Sequence, residues 1–216
     1  MRDLFLRVLR LTSGLFLFAL GIVITMNANI GYAPWDVFHV GLAKTTGISI
    51  GNISIIIGIM IVIISVLLGE KLGLGTVINM IFIGVFLDFI LNLNIIPIAN
   101  HFLIGILMLI IGLLIMAFAS YLYMGSALGV GPRDSLMVAL TRKTGLPIGF
   151  CRGTIETLAV FIGWLLGGMV GIGTVLAALI IGPFVQMTFK ILNFDAIKIQ
   201  HESLIFTYKS YFGKDK

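Results

Sequence analysis

Six apolar runs dominate this 216-residue chain, at residues 5–26, 52–69, 74–92, 102–123, 150–168 and 173–192. Each approaches the ~20 residues a helix needs to cross a ~30 Å hydrocarbon core. Charged side chains fall mainly between the runs, and the pattern predicts an all-α membrane protein with six transmembrane helices. The stretch between the first two runs is too long for a turn and too apolar for a solvated loop, because Trp35, Val37, Phe38, Val40, Leu42 and Ala43 dominate it. There Pro34 suits a first helical position, where its missing N–H would be unpaired anyway. Asp36, two residues on, meets the free N–H groups and the positive end of the dipole. Gly47 suits a left-handed cap. The pattern predicts a short helix over 34–45, roughly 17 Å long, which is too short to span. Residues 132–143 repeat it.

The repetition is general. Gly31-Tyr32-Ala33-Pro34-Trp35-Asp36 returns 98 residues later as Gly129-Val130-Gly131-Pro132-Arg133-Asp134. Over 31–51 against 129–149, 9 of 21 positions are identical, and over 67–86 against 165–184, 10 of 20 are. No gap separates the two matches, so the chain is read as a duplication: 1–98 a first three-helix repeat, 99–192 a second, and 193–216 a cytoplasmic amphipathic tail that hugs the membrane surface.

Composition agrees with the membrane reading. The chain is 59% hydrophobic and 11% charged, with a mean hydropathy of +1.16, so it has too little polar surface for a soluble globule. A cytoplasmic N-terminus places 13 of the 14 Lys and Arg inside and only Lys44 outside, a strong positive-inside signal. Both termini are then cytoplasmic. With three spans per repeat, the two copies cross in opposite senses, giving a 3+3 inverted-topology repeat with a short discontinuous helix in each half. Trp35 becoming Arg133 and Thr45 becoming Lys143 fits that inversion. The net charge of +5 marks topology rather than a nucleic-acid groove, and no nucleic-acid partner is expected. The N-terminal run has no small-x-small cleavage site and matches the fourth run at the repeat offset, so it is read as a retained helix.

Candidate chemistry is sparse. Single Cys151 excludes an internal disulfide and a thiolate metal cage. No zinc-protease, nucleophile-elbow or phosphate-loop motif occurs, so no catalytic residue, metal or cofactor is expected, and an enzyme is not. Gly31, Pro34 and Asp36 in one half, with Gly129, Pro132, Arg133 and Asp134 in the other, are the candidate substrate-binding residues, because half-helix ends at matched positions point to a transporter site. The plainer role of both aspartates is to stabilise their short helices, by ~0.3–1 kcal/mol each. Glu156 lies inside the fifth span, where an unpaired carboxylate costs ~2.5–3.5 kcal/mol. Arg152, one turn earlier, can pair with it, and the two are the candidate proton- or ion-coupling residues. Asp88 reads as a snorkelling or end-capping acid, Asn79 as helix–helix glue, and His39, on the face of Asp36, as packed or interfacial more than as a proton carrier. Gly149/Gly153 and Gly163/Gly167 read as close helix packing.

The paired Gly-x-x-Pro-x-Asp segments, the following Thr-Gly-x-x-Ile-Gly and the Gly-x-Gly-Thr-Val turns resemble the YczE/YyaS/YitT group of bacterial membrane proteins, its YczE-like branch most, over about residues 5–192. The resemblance implies a multi-pass protein of the bacterial inner membrane and assigns neither substrate nor catalytic residues. The reading is a small secondary transporter moving an anionic or zwitterionic solute by alternating access. Its partners are the lipid bilayer, the solute and, as a candidate, a second copy of the chain. The alternative is a non-transporting accessory protein that supports a partner complex.

Overall fold

The structure, a computed structural model, describes residues 2–195, 202–204 and 206. Among the described residues, eight helices follow in order: α1 (Arg2–Asn27), α2 (Pro34–Thr46), α3 (Ile50–Leu67), α4 (Leu74–Leu93), α5 (Phe102–Met124), α6 (Pro132–Thr144), α7 (Ile148–Leu165) and α8 (Ile172–Ile191). The six longest are apolar enough to cross a membrane, and the chain is a multi-span membrane protein. The short α2 and α6 have 13 residues each, about 20 Å of helix. Both open on proline and end on a glycine in left-handed backbone, Gly47 at φ 73° and Gly145 at φ 71°. Helices α2, α3 and α4 begin 98 residues before α6, α7 and α8 and match them in length.

At the centre, α1 and α5 lie against each other in antiparallel sense. Gly14 meets Ala119 and Tyr123, Gly21 meets Gly112 and Met116, and Ala28 meets Gly105, so rising numbers on one helix face falling numbers on the other. Glycine at these crossings lets the two backbones approach to where no Cβ would fit. Arg7 and Arg10 of α1 accordingly donate to the carbonyls of Ser126 and Gly125 beyond the end of α5. We call this the first end of the bundle; α1 starts there, and α8 finishes there, with Phe194 against Tyr121.

The halves interlock reciprocally. Gly173 N–H donates to Ile30 O at 2.8 Å, and Gly75 N–H donates to Leu128 O at 2.7 Å, the same bond with the halves exchanged. Gly31 at φ 118° and Gly129 at φ 138° stand against the opposite half, Gly31 on Gly171 and Thr174, Gly129 on Gly73 and Thr76. Each short helix packs on the other half: α2 on α7, α6 on α3. Their last turns carry matched tethers, Lys44 Nζ to Gly167 O at 2.9 Å and Arg142 Nη2 to Leu68 O at 3.0 Å. Arg142 also pairs with Glu70 at 3.1 Å.

Two expectations on glycines need correction. Gly163 does pack closely, against Phe38 of α2. Gly149 and Gly153 have nothing within 4 Å of where a Cβ would stand, and Gly167 is a turn residue at φ 89° rather than a packing face. Periodicity locates small residues on a helix but does not say which face finds a neighbour.

Asp88, near the end of α4, accepts from Ser49 Oγ at 2.5 Å and from Gly51 N–H at 2.8 Å, closing the start of α3. The end-cap role follows from this geometry. Asp88→Ala is expected to cost about 1–2 kcal/mol, read as a lower Tm in detergent. Most of the tail lies outside the described residues. Within them, Glu202 pairs with Arg7 at 2.6 Å, and the N–H groups of Glu202 and Leu204 donate to Ala127 O and Leu72 O.

Candidate functional site

The starts of α2 and α6 converge on one cavity of about 320 Å³. Its charged wall comes from α6 and α7: Arg133, Asp134, Arg152 and Glu156. Trp35 and His39 of α2 face it from the other half, and Phe18, Ile22, Met80 and Phe189 are among its apolar surfaces. The guanidinium of Arg133 lies over the Trp35 ring, 4.7 Å from its centre. Residues 35 and 133 are equivalent in the repeat, so this cation–π contact joins two copies of one position. Such a contact is worth about 0.5–2 kcal/mol, depending on how dry it is.

Other equivalent pairs also share the cavity: His39 with Met137, Ser54 with Arg152, Gly58 with Glu156, and Ile83 with Ile181. The cavity therefore straddles the junction of the halves. The duplication placed a neutral residue and a charged one at the same site: Ser54 against Arg152 and Gly58 against Glu156.

The structure distributes the sequence candidates unevenly. Pro132, Arg133, Asp134, Arg152 and Glu156 line the cavity. Tyr123 donates its hydroxyl to Asp134 Oδ2 at 3.3 Å, and Arg152 Nε donates to Glu156 Oε1 at 2.9 Å. Asp36 is buried just behind the lining, with 3% of its surface exposed, and within electrostatic reach of Arg133. Gly31 and Gly129 serve the crossings between halves instead, and Pro34 begins α2 outside the lining. Among the described residues, no first-turn N–H of α2 or α6 is capped by an aspartate side chain; Ala33 and Gly131 hold the cap positions. Any stabilisation by Asp36 or Asp134 of its own helix is thus through the dipole.

Asp36 lies on a helix that does not span, and burial pushes its carboxyl up to about 6, against the opposing pull of the Arg133 charge. Burial likewise raises the Asp134 carboxyl, with Arg152 the largest opposing influence. His39 is held well below the ordinary imidazole range, first by burial and then by Arg133, so it is neutral near pH 7.

Sequence reasoning missed Trp35, Tyr123 and Ser120 as wall residues. The repeat offset could have found the first, since Trp35 is the counterpart of Arg133. Asn79, read as glue, also lines the cavity, beside Gly131. Among the described residues no group of three or more His, Cys, Asp or Glu is placed to hold a metal.

What the geometry offers is a largely apolar chamber that carries charges of both signs and an aromatic–guanidinium plate.

Comparison with known proteins agrees with the membrane architecture. The chain is 35% identical over 178 residues to the "Uncharacterized membrane protein YczE" of Bacillus subtilis, covering 82% of each chain. It is 36% identical over 186 residues to an uncharacterized protein of Haemophilus influenzae, covering 84% of each. The YyaS protein of Bacillus subtilis is 26% identical over 177 residues, 81% of this chain and 88% of that one. No solved structure matches the chain. Residues 5–190 match the family described as "Family of unknown function (DUF6198)", and the chain belongs to this family together with its YczE-like relatives.

Proposed function

We propose that this protein is a small secondary transporter of the bacterial cell membrane, built as a 3+3 inverted repeat, that moves an anionic or zwitterionic solute through the Arg133 cavity. One observation carries the reading: residues equivalent in the two halves line a single cavity, with Trp35 against Arg133 in its wall. The antiparallel α1–α5 pair and the exchanged hydrogen bonds between halves support the inversion. The charge distribution supports cytoplasmic termini, with the first end of the bundle inside. In this reading Arg133 holds the anionic group of the solute and Trp35 limits the guanidinium's freedom. Asp36, Asp134 and the Arg152–Glu156 pair balance the charge and supply the coupling carboxylates.

The test is solute flux into proteoliposomes holding the purified protein, with candidate solutes first chosen by ligand-dependent thermal shift. Neutralising Asp36, Asp134 and Glu156 in turn should alter flux. Flux indifferent to all three would remove these assignments. A chain that moves no solute and copurifies with another protein would instead support the accessory role.

A pH dependence follows from Asp36, whose carboxyl titrates near pH 6. Below that value it is neutral, the positive charge of Arg133 is less compensated, and an anionic solute should bind more tightly. Above it, binding should weaken. Affinity is therefore expected to fall as pH rises from about 5 to about 7, and Asp36→Asn should flatten the curve. An unchanged pH profile in that variant would count against the assignment.

A further inference from the structure

The two halves share a sequence plan but not a conformation, and the difference lies at one pair of helices. Gly51 and Gly84 correspond to Gly149 and Gly182 in the repeat. In the first half, a Cβ on Gly51 or Gly84 would overlap the carbonyl oxygen of the other glycine. Helices α3 and α4 are thus in backbone contact, and the Ser49–Asp88 hydrogen bond latches them beside it. In the second half, nothing lies within 4 Å of the Cβ position of Gly149 or Gly182. The latch residues are replaced by Pro147 and Gln186, and α7 has no face along α8 to match that of α3 along α4.

The cavity fills the gap. Arg152 and Glu156 of α7 border it, as do Val185 and Phe189 of α8. Tyr123 and Met124 extend it toward the first end. The counterparts of the half-buried Met124 and Val185 are Met26 and Leu87, which are both buried. The same positions are chamber wall at one end and packed core at the other.

Resting on the transport reading above, we infer that α7 and α8 form a gate. It closes by bringing Gly149 against Gly182, in the way that Gly51 meets Gly84. The structure is the state open toward the first end and sealed at the second. Closing α7 on α8 while α3 leaves α4 exchanges the roles of the halves. Thr25, Met26 and Leu87 then become the cavity wall, and Asp36 replaces Asp134 as the carboxylate facing the opened side. Arg133 and Trp35, at the junction, stay in the site in both states. Glycine at 149 and 182 is required by the closed state, which explains two helix glycines with open space at their Cβ positions here.

Oxidative cross-linking of the full chain in membranes tests this, in a Cys151→Ser background. The pair Pro147→Cys/Gln186→Cys occupies the positions that match Ser49 and Asp88. Ser49→Cys/Asp88→Cys is the reference pair for the sealed end. Both pairs should link, the reference pair in the state seen here and the 147–186 pair when the gate closes. Adding Gly182→Leu should cut the 147–186 product at least about tenfold, leaving folding unchanged by size-exclusion profile, because a leucine side chain blocks the approach. A reference pair that links while 147–186 never does would overturn the gate, as would linkage indifferent to Gly182→Leu. The readout needs no solute. Links without flux for any solute would discard transport and keep the gate; flux without the 147–186 link would do the reverse.

Discussion

Arg133→Met is expected to be the most damaging single substitution in the cavity, abolishing solute-dependent stabilisation and lowering stability by about 2 kcal/mol. The reason is the company Arg133 keeps. It interacts with the charges of Asp36, Asp134 and Glu156, while the other cation, Arg152, is already committed to Glu156 at 2.9 Å. Methionine fills a similar volume and leaves Asp36 without the cation that opposes its burial, while Asp134 keeps the influence of Arg152. Arg133→Lys should recover part of the stability, since charge is kept, yet not the solute response, because an ammonium lacks the planar fork that stacks on Trp35. A second substitution separates charge from packing. Asp36→Asn added to Arg133→Met should restore some stability, whereas added to the parent it should not. Thermal unfolding of the four combinations gives the coupling directly. Independent, additive effects would show that Arg133 and Asp36 do not share a site.

The largest stability loss is expected from Gly51→Leu or Gly84→Leu. At each position a Cβ would overlap a carbonyl oxygen of the facing helix, and a backbone contact cannot yield as a flexible side chain would. Overpacking commonly costs about 1–3 kcal/mol, and this case belongs at or above the upper bound. The same substitution at Gly149 or Gly182, where nothing lies within 4 Å, should change stability by no more than about 0.5 kcal/mol. Tm in one detergent for the four variants measures the contrast. Equal losses at all four positions would mean that the halves pack alike, and the asymmetry on which the gate rests would disappear.

Much of the fold was legible because the forces involved are local. The six apolar runs became α1, α3, α4, α5, α7 and α8, since a buried backbone in lipid must satisfy its hydrogen bonds within the segment. Pro34, Pro132, Gly47 and Gly145 bound the short helices by their own backbone preferences. The Arg152–Glu156 pair was legible too, because four residues on a helix bring side chains together whatever surrounds them. Asp88 was legible only as a snorkelling or end-capping acid, and the fold was needed to name Ser49 and Gly51 as its partners.

The sequence by itself determined the spans, the two short helices and the equivalence of positions 98 residues apart. Hydropathy, capping and duplication are all written along the chain. Only the tertiary structure decided that Trp35 and Arg133, equivalent but different residues, would meet face to face. Only it decided that Asp36 would be buried behind the wall while Asp134 stands in it, and that Gly51 would be packed while Gly149 stands open. A duplicated sequence encodes two related halves. Which half packs its two long helices together is set by contacts between distant segments, and the Ser49–Asp88 hydrogen bond of the packed half has Pro147 and Gln186 at its place in the other.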